Sequence, residues 1–73
     1  MKVYPIIIYT EGEVSTSIDI FLTKRGAAKH LDKIEADLPP TVKRSRPDRF
    51  TLACEEEDGE WWTLGVGEAF LHL

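Results

Sequence analysis

The sequence predicts an α+β fold: a small ββαββ domain in which an antiparallel four-stranded sheet carries one helix on one face. Three observations predict it. Apolar residues recur with period two in the runs 14–22, 49–55 and 60–66. They recur at helical spacing between residues 24 and 38. Turn signals separate the paired runs. At 73 residues the chain reads as one domain, 1–73, near the lower size at which a single core folds unaided.

Each element has its own signal. Residues 2–10 contain VYPIIIY, apolar on both faces as a central strand is, with Pro5 near the strand start or at a bulge. Gly12 in TEGE supplies the unusual dihedral of a tight turn. In VSTSIDIFL, residues 14–22, alternation predicts Val14, Thr16, Ile18, Ile20 and Leu22 on the core side and Phe21 on the other. Thr23 is placed as the N-cap of a helix over 24–38, with Leu22 and Ala27 spaced as a hydrophobic staple. Ala27, Leu31, Ile34 and Leu38 form its core stripe, and Pro39 and Pro40 stop it. A loop follows. Strand 49–55 then turns Phe50, Leu52 and Cys54 to the core, and strand 60–66 answers with Trp62, Leu64 and Val66 across an Asp58-Gly59 turn. In the apolar tail 68–73, Phe70, Leu71 and Leu73 are candidates to fold back over the second sheet face.

Composition limits the functional classes. Nine basic and thirteen acidic residues leave a net charge of −4, which favours solubility and argues against general nucleic-acid binding. A lone cysteine, Cys54, excludes an intramolecular disulfide and suits a reducing, cytoplasmic setting. The run PIIIY is too short for an export signal and leads straight into the acidic turn EGE, so neither a signal peptide nor a membrane span is expected. His30 and His72 have no visible catalytic partner, Cys54 alternates with core residues, and Gly65 and Gly67 lack the spacing of a phosphate-binding loop. No enzymatic activity and no cofactor are expected.

The charges are segregated. In KRSRPDRFTLACEEEDGE, residues 43–60, Lys43, Arg44, Arg46 and Arg49 open the segment and Glu55, Glu56, Glu57, Asp58 and Glu60 close it. With ~3.3 Å per strand residue, the cationic loop and the acidic turn are expected at opposite strand ends, roughly 20 Å apart. That exceeds the Debye length of about 8 Å at physiological salt, so each cluster acts on partners alone. The acidic turn lacks the alternating carboxylates of a calcium loop, and no metal is expected there. It reads either as a solvated turn or as a dock for a basic surface. The basic loop 43–49 reads as a phosphate-contact cluster or as a solvated loop.

The predicted helix opposes its own macrodipole. Lys24 and Arg25 stand in the first turn and Glu35 and Asp37 in the last, each unfavourable by about 0.3–1 kcal/mol. Arg25, Lys29 and Lys33 line up at i, i+4 and i+8, where like charges repel. Such broken rules mark a surface that serves a partner, or else exposed charges too weak to matter. On the sheet, Ile7, Tyr9, Phe21 and Trp61 are expected to point away from the helix, toward the tail or another molecule. Exposed aromatics on a sheet also suit single-stranded RNA, but the aromatic motif of that family is absent and the net charge has the wrong sign.

A compact acidic chain with no catalytic set, segregated charge and surplus surface aromatics resembles, in general style, the small phage-encoded proteins that redirect host machines: RNA-polymerase regulators, anti-CRISPR proteins and anti-restriction proteins. The resemblance spans the whole chain and carries no diagnostic motif. It implies a non-enzymatic regulator or inhibitor that occupies a surface of a larger host assembly handling nucleic acid, such as RNA polymerase, a nuclease or a CRISPR or restriction complex. The expected contacts are Tyr9, Phe21 and Trp61 as apolar anchors, with Glu55, Glu56, Glu57, Asp58 and Glu60 as the charged component. A second reading is direct nucleic-acid binding through the basic loop and the helix ridge, using Arg25, Lys29, Lys33, Lys43, Arg44, Arg46 and Arg49. A third is a structural homodimer joined through the open sheet face, in place of a monomer.

Overall fold

The computed structural model describes residues 1–72, with every side chain except that of Ile18. The expected inward position of Ile18 and the candidate return of Leu73 over the sheet lie outside the described residues. Strand β1 (Lys2–Thr10) pairs antiparallel with β2 (Glu13–Phe21) through a turn in which Gly12 holds a φ of 79°. Helix α1 (Lys24–Asp37) follows, then β3 (Lys43–Asp48), β4 (Thr51–Glu55), β5 (Trp61–Val66) and the two-residue β6 (Ala69–Phe70). The fold is α+β, one helix against an antiparallel sheet ordered β2-β1-β5-β4-β3, with β6 pairing to β1.

Helix α1 begins where the capping signal placed it. Thr23 is extended, and its Oγ1 accepts the Gly26 N–H at 2.9 Å, satisfying one of the orphan donors of a first turn. Leu22 stays exposed, so the expected staple onto buried Ala27 does not form. The helix ends at Asp37, just before Pro39, whose ring cannot continue it. Ala27 and Leu31 meet Ile6, Val42, Leu52, Cys54 and Leu64 in the core, with Tyr4, Ile8, Phe21, Ile34, Leu38, Trp62 and Val66 packed around them. The expected core phase of β4 and β5 therefore holds for Leu52, Cys54, Trp62, Leu64 and Val66.

Cys54 is buried. Burial pushes its thiol pKa up, against a smaller downward pull from the Arg44 charge. A thiol reagent is expected to label it slowly in the native protein and quickly in denaturant, because the thiolate is the attacking species and the folded chain both hides and suppresses it. Equal rates would reverse the face assigned to β4.

Beyond the staple, two expectations and one open alternative fail, each because of how the strands pair. The first is the phase of β2. Ile8 pairs with Ser15 and Tyr9 with Val14, so the hairpin register turns Ser15 toward the helix and Val14 away. Val14 is 67% and Ile20 52% exposed, while Phe21, expected on the open face, packs against the core and meets the His30 ring at 4.9 Å between centroids. A bulge opposite Ile6 shifts the register by two residues and so preserves this phase.

The second is the sheet size. The cationic run expected as a loop is the edge strand β3, so the sheet has more than four strands, and β4 starts at Thr51 instead of residue 49. Lys43 pairs with Glu55 and Arg44 with Cys54. The two ends of the segment 43–60 are thus adjacent, and the expected separation of roughly 20 Å applies only to Arg49, in the β3–β4 turn.

The third is the tail. Residues 69 and 70 add to β1 as a strand instead of covering the open face, and both Phe70 and Leu71 are exposed. The Met1 ammonium donates to the Leu71 carbonyl at 3.1 Å, the Leu71 N–H donates to Met1 O at 2.8 Å, and Lys2 pairs with Glu68 at 3.4 Å.

Candidate protein-docking surface

Two acidic turns meet at one end of the sheet. Because Thr10 pairs with Trp62 and Glu55 with Trp61, the β1–β2 turn bearing Glu11 and Glu13 stands beside the β4–β5 turn bearing Glu55, Glu56, Glu57, Asp58 and Glu60. Gly59, with a φ of 90°, lets the second turn reverse tightly. Within that turn Glu56 N–H donates to Glu60 O at 2.7 Å, Gly59 N–H to Glu56 O at 3.0 Å and Glu60 N–H to Asp58 Oδ1 at 3.0 Å. Among the described residues none of these seven carboxylates forms an ion pair. Nor do any three His, Cys, Asp or Glu side chains converge there as a metal-holding group.

Trp61 is the apolar feature of this end and is 44% exposed. It lines two clefts. One, of about 470 Å³, runs between the acidic turns past Ile8, Thr10, Glu11, Glu60 and Trp62. The other, of about 300 Å³, lies on the open sheet face over Ser45, Ala53 and Thr63, with Lys43 and Glu55 at its rim. Small side chains on these rungs leave the trough, and Tyr9, 40% exposed, stands on the Thr63 rung beside it. Trp62 points the other way into the core edge and donates its Nε1–H to Glu56 Oε1 at 3.4 Å, which ties the acidic turn to the body of the fold.

The structure brings together Tyr9, Trp61 and all five acidic residues singled out from the sequence, and removes Phe21 from them. Glu11 and Glu13 join the cluster without having been singled out. The acidic pair was visible in EGE, but its neighbour depends on the β1–β5 pairing, which no local pattern encodes.

The expected basic patch divides. Arg44 is occupied internally: Nη1 donates to Glu35 O at 2.7 Å, Nη2 to Pro39 O at 2.6 Å, and Nε to Val42 O at 3.3 Å. These carbonyls belong to the end of α1 and the segment after it, where a cation is favoured. Arg46 donates to Thr51 O, Arg49 O, Asp32 Oδ1 and Glu35 Oε1 at 2.6–3.1 Å. Burial works against its charge, yet the hydrogen bonds and attraction of Asp32 and Glu35 together hold its guanidinium above the ordinary value. The helix that seemed to oppose its macrodipole is therefore compensated from β3. At its other end Lys24 lies 4.4 Å from the Phe50 ring centroid, a cation–π contact. Arg25, Lys29, Lys33, Lys43 and Arg49 form no ion pair among the described residues.

Among the described residues no helix is long and apolar enough to cross a membrane. The chain matches no protein-family model, no curated protein and no solved structure.

Proposed function

We propose that this protein is a non-catalytic binding module that docks through its acidic, tryptophan-bearing end on a cationic surface of a larger protein assembly. The observation that carries this reading is the position of Trp61, half exposed between two clefts and beside seven carboxylates that no internal cation neutralises. Charge on flexible side chains steers encounter and excludes wrong partners, but affinity needs a desolvated anchor. An exposed indole with small-residue ground on one side and a notch on the other fits that role. Tyr9 extends the anchor along the open face.

A cationic surface that accepts a dense line of carboxylates is of the kind that holds nucleic-acid phosphates. The partner is accordingly a nucleic-acid-processing protein, such as a polymerase, a nuclease or a defence complex in the host cytoplasm. This agrees with the general style of the phage-encoded regulators and inhibitors that the chain resembles.

The test is capture from host lysate by immobilised protein, with nuclease treatment, using Trp61→Ala and the double charge reversal Glu57→Lys, Asp58→Lys. Capture by the native chain should survive nuclease and be displaced by added duplex DNA. Trp61→Ala should weaken it by about 2 kcal/mol or more while leaving the melting temperature nearly unchanged. Capture that vanishes with nuclease, or that ignores both variants, would sink the reading.

A further inference from the structure

The end of the molecule opposite the acidic turns holds a second charged feature. A cleft of about 380 Å³ is lined by Arg25, Ala28, Lys29, Asp32 and Arg49. Arg25 and Lys29 stand one turn apart on α1, and Ala28 between them is buried and small, which leaves the depression. Arg49 comes from the β3–β4 turn. Its carbonyl accepts Arg46 Nη2 at 2.8 Å, and Asp48 Oδ1 accepts the Phe50 N–H at 2.8 Å, so the turn is held on both sides of it. Asp32 is the one carboxylate in the wall, and its Oδ1 is already taken by Arg46 Nη1 at 2.6 Å.

Three cations from two elements therefore face one concave surface against a single carboxylate, Asp32, which is already hydrogen-bonded to Arg46. The first turn of α1 carries no acidic residue either, so the positive end of the helix adds to the same field. Elsewhere the fold handles its arginines differently: Arg44 and Arg46 are fully engaged with carbonyls and carboxylates. Leaving Arg25, Lys29 and Arg49 to repel one another is the configuration that a bound anion relieves, and a forked guanidinium on each wall suits a tetrahedral oxyanion better than a single carboxylate.

We infer that this cleft is a binding site for phosphate groups, with Arg25 and Arg49 as the two guanidinium contacts and Lys29 as the third charge. The site lies about 20 Å along the helix from the acidic end, beyond the Debye length, and it does not depend on the docking reading above. The phosphate comes either from a small polyphosphate or from a nucleic-acid backbone, and the two sources separate experimentally.

The probe is sodium tripolyphosphate, with sodium chloride at matched ionic strength as the control, followed by thermal melts and calorimetric titration. Tripolyphosphate should raise the melting temperature where chloride does not. Arg25→Gln and Arg49→Gln should each weaken its binding about tenfold or more, as loss of a charge-assisted hydrogen bond does. Both side chains are exposed, and without the anion each variant should melt no lower than the native chain, since a repulsive charge has gone. Lys33→Gln, on the same helix ridge but outside the cleft, should bind as the native chain does. A short duplex DNA that competes with tripolyphosphate, with a salt slope of about −0.9 per phosphate neutralised, identifies the backbone as the source; a duplex that does not compete identifies the small anion. Absence of tripolyphosphate binding, or an equal loss in Lys33→Gln, overturns the site.

Discussion

Leu31→Ala is expected to destabilise the fold by about 2–5 kcal/mol. Leu31 is 0% exposed on the inner face of α1, against Ile6, Leu52 and Leu64, and a domain of this size holds only ~0.05–0.15 kcal/mol per residue in total. The loss is thus a large fraction of the whole, and urea melts would show the midpoint collapse. Val14→Ala is the informative partner. By strand alternation Val14 belongs in the core, but the hairpin register leaves it 67% exposed, so its truncation should change stability by less than about 0.5 kcal/mol. Comparable losses in both variants would mean that the β1–β2 register is misassigned.

Arg44→Ala should cost about 1.5–3 kcal/mol, the range for hydrogen bonds made by a charged group. The Glu35 and Pro39 carbonyls each lose a charged donor and keep only the backbone N–H of Leu38 and Val42, and α1 loses the cation that offsets its C-terminal partial charge. At roughly 4–8 °C per kcal/mol for a domain this small, the melting temperature should fall by roughly 10–20 °C. Arg44→Lys restores the charge but not the two-pronged reach, because an ammonium is a point donor and the guanidinium spans both carbonyls. It should recover only part of the loss. A neutral result for Arg44→Ala would return this side chain to the pool of surface cations available to a ligand.

These two residues also mark how far local pattern reaches. Leu31 was legible from spacing alone, and so were the Thr23 cap, the Pro39 stop, Gly59 in its turn and the opposite faces of Trp61 and Trp62. Arg44 was not. Its neighbours in sequence are other cations and a proline, which read as a loop displaying charge. Only the pairing of β3 with β4 aims it back under the helix end. Phe21 was misread for the same kind of reason, since an edge strand takes its phase from the hairpin that carries it and not from its own alternation.

Within the candidate surface, the acidic turn and Trp61 could be picked out from residue type and alternation, because a tight turn exposes its charges and adjacent strand residues must face opposite ways. The company they keep is another matter. Glu11 and Glu13 reach the same end through β1–β5 pairing, Lys43 sits beside Glu55 through β3–β4 pairing, and Arg49 meets Arg25 and Lys29 across the helix–sheet interface. Caps, turns and periodicity depend on interactions a few residues apart and are written in short windows of sequence. Which strands pair, and in what register, depends on contacts between distant segments that backbone hydrogen bonding alone scarcely distinguishes. The collective packing of α1 over β1, β4 and β5 selects one of those arrangements, and with it the grouping of charges on the surface.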